Sequence, residues 1–218
     1  MSSYTGVTFG TKHSWTDYGL RPVKFEHPLP AQRKEQQEVP GMNGVLDLSR
    51  ALTGYITYEN RELVYTFTLR AHSQEEFNQK IFPVRNELDG MELNITEDDD
   101  SQYYYTGTPA VEGDYDPEEI DQEVTVTVDA EPFKKKLQKT SVQETITESG
   151  TITCQNARME TIPTITASAD CSVEFEGTSY SVQQGERIIP DIILKPGSNV
   201  FSVTGSVTLK FEYQEGAF

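Results

Sequence analysis

Val124-Thr125-Val126-Thr127-Val128-Asp129 places a side chain that can be buried at every second position, a pattern only an extended strand can use. Leu63 to Leu69 mixes β-branched and aromatic residues with polar ones, and Val200 to Tyr213 alternates around a Gly205-Ser206 turn. Strands need neighbours for their backbone groups, so the chain is predicted to be mainly all-β and antiparallel. Turn chemistry agrees. Pro40-Gly41 suits a type II turn and Asn43-Gly44 the tighter hairpin turns, leading into a strand at Val45-Leu46-Asp47-Leu48. A single helix is expected from Ser73, where Ser73 and Glu76 form a capping box and Phe77, Ile81, Val84 and Leu88 recur at helical spacing. Gly90 should end it, and Pro83 should kink or divide it near Phe82.

Beyond the helix, Glu92 to Thr96 and Tyr103 to Thr108 read as strands joined by the acidic turn Glu97 to Ser101. Tyr104 should face away from Tyr103 and Tyr105, which favours packing over a continuous sugar-stacking stripe. Near Pro132 the composition shifts. Up to Ala130 the chain carries 24 acids and 10 bases, and from Glu131 onward 11 and 8. Two domains follow, 1–132 and 133–218. In the second, Val142 to Ile146, Thr151 to Cys154, Thr164 to Ala167, Ser172 to Glu176, Thr178 to Val182, Arg187 to Ile189, Asp191 to Leu194 and the segments flanking Gly205 are predicted strands of a sandwich or jelly roll.

A net charge of -17 argues against a sequence-independent hold on nucleic acid. No apolar stretch is long enough to span a bilayer, and Met1 to Gly10 has neither the basic segment nor the apolar core of a secretion signal, so no membrane insertion is expected. Cys154 and Cys171 read as free thiols. Asp98 to Asp100 do not begin an EF-hand loop, because Tyr103 and Pro109 stand where its glycine and glutamate belong. His13, His27 and His72 lack a second ligand at zinc spacing and read as structural. With no nucleophile elbow, phosphate loop or separated carboxylate pair, an enzyme is not expected, and no catalytic, metal or cofactor residue is assigned. Asn94-Ile95-Thr96 reads as a coincidental sequon.

The ordered series Val7-Thr8-Phe9-Gly10, Lys12-His13-Ser14, Asp17-Tyr18-Gly19-Leu20, Pro28, Pro30, Pro40-Gly41, Asn43-Gly44 and Leu46-Asp47-Leu48 resembles the distal tail proteins (Dit) of long-tailed bacteriophages. Gly54, Tyr58, Asn60-Arg61, Asp89-Gly90 and Tyr104-Tyr105-Thr106-Gly107 continue it, so that the resemblance covers roughly Gly6 to Lys136. The second domain matches more loosely, in Ile189-Pro190, Leu194 to Asn199 and Thr208 to Tyr213. The resemblance implies a β-sandwich first domain with one helix and an extended loop or hairpin, and a galectin-like second domain without implied sugar binding. It further implies a structural virion protein, assembled in the host cytoplasm and located at the distal end of the tail. Its homo-hexameric ring would join the tail tube to the hub protein of the tail tip and leave a channel for DNA. The outer domain would dock baseplate or receptor-binding proteins.

Two residue-level expectations accompany this reading. Pro30 to Glu38 is expected to form an arm that packs on the adjacent copy, and Asp98 to Asp100 or Asp114 to Glu123 to line the channel, where they would repel phosphate. Competing readings are a jelly-roll carbohydrate-binding module using Tyr180 or Tyr213, and another ring-forming tail-tube or baseplate subunit. Trp15, the one tryptophan, is expected to pack.

Overall fold

The computed structural model describes residues 5–51 and 53–218. They divide into two compact units, Met1–Lys134 and Lys135–Phe218.

In the first unit, β1 (Val7–Phe9), β2 (Lys12–His13), β3 (Arg21–Glu26), β6 (Arg61–Arg70), β7 (Leu93–Glu97), β8 (Tyr103–Glu112) and β9 (Asp121–Ala130) form a sheet path in the order β2-β1-β7-β8-β9-β6-β3. The short strands β4 (Gln36–Gln37) and β5 (Leu46–Asp47) pair only with each other. β6 and β9 are antiparallel throughout, Arg61 opposite Ala130 and Arg70 opposite Asp121. Strict alternation buries Leu63, Tyr65, Phe67 and Leu69 beside Val124, Val126 and Val128.

Phe9 on β1 stands four strands from β6, a separation of roughly 19 Å along a flat sheet. Yet its ring centroid lies 5.7 Å from that of Tyr65 and 6.3 Å from that of Phe67, in edge-to-face contact. The sheet therefore folds over on itself, and the core lies between its two layers. The first unit is a sandwich made from one continuous sheet.

The helix α1 (Gln74–Leu88) begins as expected, with Ser73 Oγ accepting from the Glu76 amide at 3.1 Å. The Glu76 carboxylate reaches back one residue further, to the His72 amide at 2.8 Å. The helix is not divided at Phe82. It runs unbroken through Pro83, whose neighbours Ile81 and Val84 are both fully buried in the core. Tertiary burial holds the pattern together where local backbone preference alone would interrupt it. Its end is tied to β8, where the Gly90 amide donates to Pro109 O at 2.9 Å, and to the residue just after β8, where Arg85 Nη2 donates to Gly113 O at 2.6 Å.

After β10 (Lys134–Lys136), the second unit contains β11 (Thr140–Ile146), β12 (Ser149–Asn156), β13 (Thr164–Ala167), β14 (Cys171–Phe175), β15 (Thr178–Val182), β16 (Gly185–Ile188), β17 (Gly197–Thr204), β18 (Val207–Tyr213) and β19 (Gly216–Ala217). Two four-stranded antiparallel sheets, β11-β18-β13-β16 and β12-β17-β14-β15, enclose one core. Phe201 bridges them, its ring 4.6 Å from Phe175 on its own sheet and 4.6 Å from Phe211 on the other. Asp191 to Leu194, predicted as a strand, instead follows a turn closed by the Ile192 amide on Ile189 O. Only Leu194 pairs, as an isolated bridge with Thr161. Pro190 and Asp191 occupy that turn, which bends the chain where a strand would have to run extended.

Candidate functional site

Between β3 and β6 the chain leaves the first core as a ribbon. The Arg33 amide donates to Thr57 O at 2.9 Å and the Glu59 amide to Ala31 O at 2.8 Å, while Gln36 and Gln37 pair with Asp47 and Leu46. Pro30 to Glu38, the stretch expected to form an arm, is the outgoing side of a hairpin whose returning side includes Leu46–Asp47 and Thr57 to Glu59. At its tip, the Met42 amide donates to Val39 O at 3.1 Å, and Gly41 has φ +85°, as a type II turn with Pro40 in its first corner requires. Asn43-Gly44 departs from its expected turn. Gly44 has φ +85° but Asn43 does not have positive φ, so the type I′ geometry is absent and the loop from Glu38 to Val45 is broad. Leu29, Val39, Met42, Val45 and Leu46 are all exposed, Leu29 to 73%.

At the arm's root the first core contains charge. Arg61 is 4% exposed and Glu97 8%. Both lie in phase with apolar strand positions, Arg61 with Leu63 and Tyr65, Glu97 with Ile95. Glu97 Oε1 accepts the Tyr65 hydroxyl at 2.9 Å and lies 2.8 Å from His27 Nε2. The Arg61 guanidinium sits 5.4 Å from the Tyr105 ring centroid, and its Nε and Nη1, like His27 Nε2, have no hydrogen-bond partner. Burial, together with the Glu97 carboxylate, pushes the Tyr65 hydroxyl far above its ordinary pKa, so it donates as a neutral group. Sequence reasoning passed over His27, Arg61 and Glu97 as a group. The available signal was a charged residue at an inward parity.

The acidic run is partly taken up by local structure. Asp98 Oδ2 accepts the Gly6 amide at 2.7 Å and lies 3.2 Å from His13 Nε2, Asp100 pairs with Lys134 at 2.7 Å, and Asp121 pairs with Arg70 at 2.8 Å. Asp116 accepts the Glu118 amide, and the buried Gln122 bonds the backbone of Asp116. Asp99, Asp114, Glu118, Glu119 and Glu123 remain exposed.

Trp15 packs in part, its ring centroid 5.4 Å from the Arg21 guanidinium carbon. It is 41% exposed and lines a half-open groove of about 460 Å³ with Tyr18, Arg21, Arg70 and Asp121. Of the two tyrosines considered as sugar platforms, Tyr213 is buried, its hydroxyl donating to Gln155 O, and Tyr180 packs against the second core. In the first unit Tyr105 is buried and Tyr103 lies under the Lys134 ammonium, 5.1 Å from it. Both cysteines are free, and burial pushes the Cys154 thiol up to about 12. Among the described residues, no group of three or more His, Cys, Asp or Glu side chains is arranged to hold a metal ion, and no helix is long and apolar enough to cross a membrane.

No family model matches the chain, and no curated protein matches it. Among solved structures it is similar to the Dit protein of SPP1, described as a paradigm of the hub adsorption apparatus in phages infecting Gram-positive bacteria. The TM-score is 0.68 over 98% of this chain and 99% of that one, at 15% sequence identity, so the two chains share a fold.

Proposed function

We propose that this chain is a structural subunit of a phage tail tip, a distal tail hub protein that closes into a hexameric ring between the tail tube and the baseplate. The exposed arm is the observation that carries this reading. A ribbon with Leu29, Val39, Met42, Val45 and Leu46 in water gains little for a single chain, whereas packing on a neighbour would remove apolar surface from water at roughly 25 cal/mol per Å². Cyclic closure needs such a heterologous contact, one surface of each copy meeting a different surface of the next. The fold shared with a hub adsorption protein supports the same reading.

In the ring, the second unit serves as a galectin-like platform for baseplate or receptor-binding proteins. Asp99, Asp114, Glu118, Glu119 and Glu123 are the acids of the run left to face the channel and repel passing DNA. The tail-tube protein and the hub of the tail tip are the axial partners, and the protein resides in the virion after assembly in the host cytoplasm.

Deleting Gln32 to Gln37 removes the rising half of the ribbon. The full-length protein is expected to show a six-copy mass by light scattering and sixfold rings in electron micrographs, and the deletion variant a single-copy mass. A variant that retained the intact ring would reject the arm as the contact. A full-length protein that never exceeded one copy would count against the whole assignment.

A further inference from the structure

The sandwich of the second unit has four sheet edges, and three of them are guarded. β16 carries Glu186 and Arg187, and the Arg187 guanidinium donates to the Glu186 carbonyl at 2.8 Å. β11 carries Glu144, and β12 has its Gln155 carbonyl taken by the Tyr213 hydroxyl of the facing sheet. Charged side chains and covered backbone groups keep an edge from pairing with another chain. β15 has neither. Its residues Thr178-Ser179-Tyr180-Ser181-Val182 include no charge and no proline, and they pair with β14 over their whole length without a register shift. Among the described residues nothing bonds the backbone of β15 on its other side.

The edge is also held ready. Glu176 and Gly177 turn β14 into β15 with φ of +49° and +80°, the two positive values that a type I′ hairpin requires. Glu176 is the one non-glycine residue with positive φ among the described residues, and Lys195 Nζ grips its carboxylate at 2.7 and 2.8 Å. A strand already fixed in its paired form loses little freedom when a partner is added.

We infer that β15 is a docking edge that takes an extended segment of another polypeptide as the fifth strand of its sheet. The inference rests on reading the second unit as a platform for other tip proteins, and adds how one of them is held. The two faces of β15 define the segment. On the inner face Tyr180 is half-buried at the rim of the core, in register with the buried Val173, so an apolar residue on the added strand covers it. On the outer face Ser179 and Ser181 are small and exposed, and Ser179 stands opposite Glu174, an exposed carboxylate with no ion pair among the described residues. The added strand lies two strand spacings from Glu174, roughly 10 Å, which a Lys or Arg reaching over Ser179 spans. The occupant is therefore a segment that alternates apolar residues with Lys or Arg.

The probe is a short peptide alternating valine with threonine and lysine, added to the full-length protein and followed by amide hydrogen exchange. At about ten times its half-saturating concentration, the β15 amides turned away from β14 are expected to exchange roughly tenfold more slowly. The same peptide methylated on every amide nitrogen should leave them unchanged. Glu174→Lys should weaken the lysine peptide roughly threefold, and a peptide with glutamate in place of lysine should regain the loss. No slowing at β15, or equal slowing by the methylated peptide, overturns the edge, and an unchanged affinity in Glu174→Lys overturns the basic occupant. Slowing that grows with protein concentration before any peptide is added would mean that a second copy fills the edge, and overturns the inference as well. These amides report on each copy whether or not a ring forms. A failed edge therefore leaves the hub reading standing, and a failure to form rings leaves the edge standing as a binding site.

Discussion

The second unit encloses its core between two separate four-stranded sheets, whereas the first folds a single sheet over itself and carries between β3 and β6 a ribbon with an exposed tip. The cores differ accordingly. In the second unit Phe175, Phe201 and Phe211 stack in sequence, and the buried Asn199 bonds both backbone groups of Lys195 to shape the turn before β17. In the first, the apolar layer gives way at one end to Arg61, Glu97, Tyr65 and His27. Both cores contain a buried polar atom without a hydrogen-bond partner, Asn156 Oδ1 in the second unit and atoms of His27 and Arg61 in the first, but in the first the group left short of partners includes a guanidinium.

The largest effect that can break this contrast belongs to the second unit. Phe201→Ala removes the ring that joins its two sheets, and should cost about 3–5 kcal/mol. Trp15, the one tryptophan, lies in the first unit and serves as its fluorescence reporter. Denaturant unfolding of the variant should shift the exchange of β17 and β18 amides while the Trp15 transition stays in place. If the Trp15 transition moved with them, the units would not be energetically separate.

Arg61→Met tests the opposite character of the first core. Breaking a satisfied buried ion pair is costly, but replacing a poorly compensated buried charge with an apolar side chain is neutral or stabilising by about 1–4 kcal/mol. The Trp15-monitored midpoint should hold or rise. A clear fall would mean that the cation–π contact with Tyr105 compensates the guanidinium.

The contrast also explains how much could be read from the chain alone. Local periodicity carried β6, β9, β17 and β18, which alternate cleanly against one core, and α1, whose buried residues recur at helical spacing. The type II turn at Pro40-Gly41 was legible for the same reason, its chemistry lying within adjacent residues. Asp191 to Leu194 was misread because its apolar residues are buried by a turn and one bridge, which composition cannot distinguish from a strand. The root cluster was hidden by distance: His27, just beyond β3, and Glu97, at the end of β7, are far apart in the chain and meet only because the sheet folds over. That closure depends on ring contacts such as Phe9 with Tyr65, which no local pattern encodes. Arg61 left a trace in the parity of β6, and Asn60-Arg61 was already among the residues of the family resemblance.

The smallest expected effects separate sheet from arm most finely. At Gly107 on β8, an added Cβ would lie 2.7 Å from Asp129 O and 2.7 Å from Val128 Cγ1, contacts the ladder opposite cannot yield. Gly107→Ala should therefore destabilise the first unit by about 1–3 kcal/mol and lower the Trp15 midpoint. At Gly41 nothing lies within 4 Å of the same atom, and the sole penalty is backbone φ of +85°. That costs about 1 kcal/mol and acts only on the tip. In Gly41→Ala, exchange of the Met42 amide should quicken roughly fivefold, as such an energy implies, while the Trp15 midpoint stays fixed. A shifted midpoint would show that the tip supports the sheet. The arm would then be part of the first core's stability, and an exposed contact surface would no longer explain why the chain builds it.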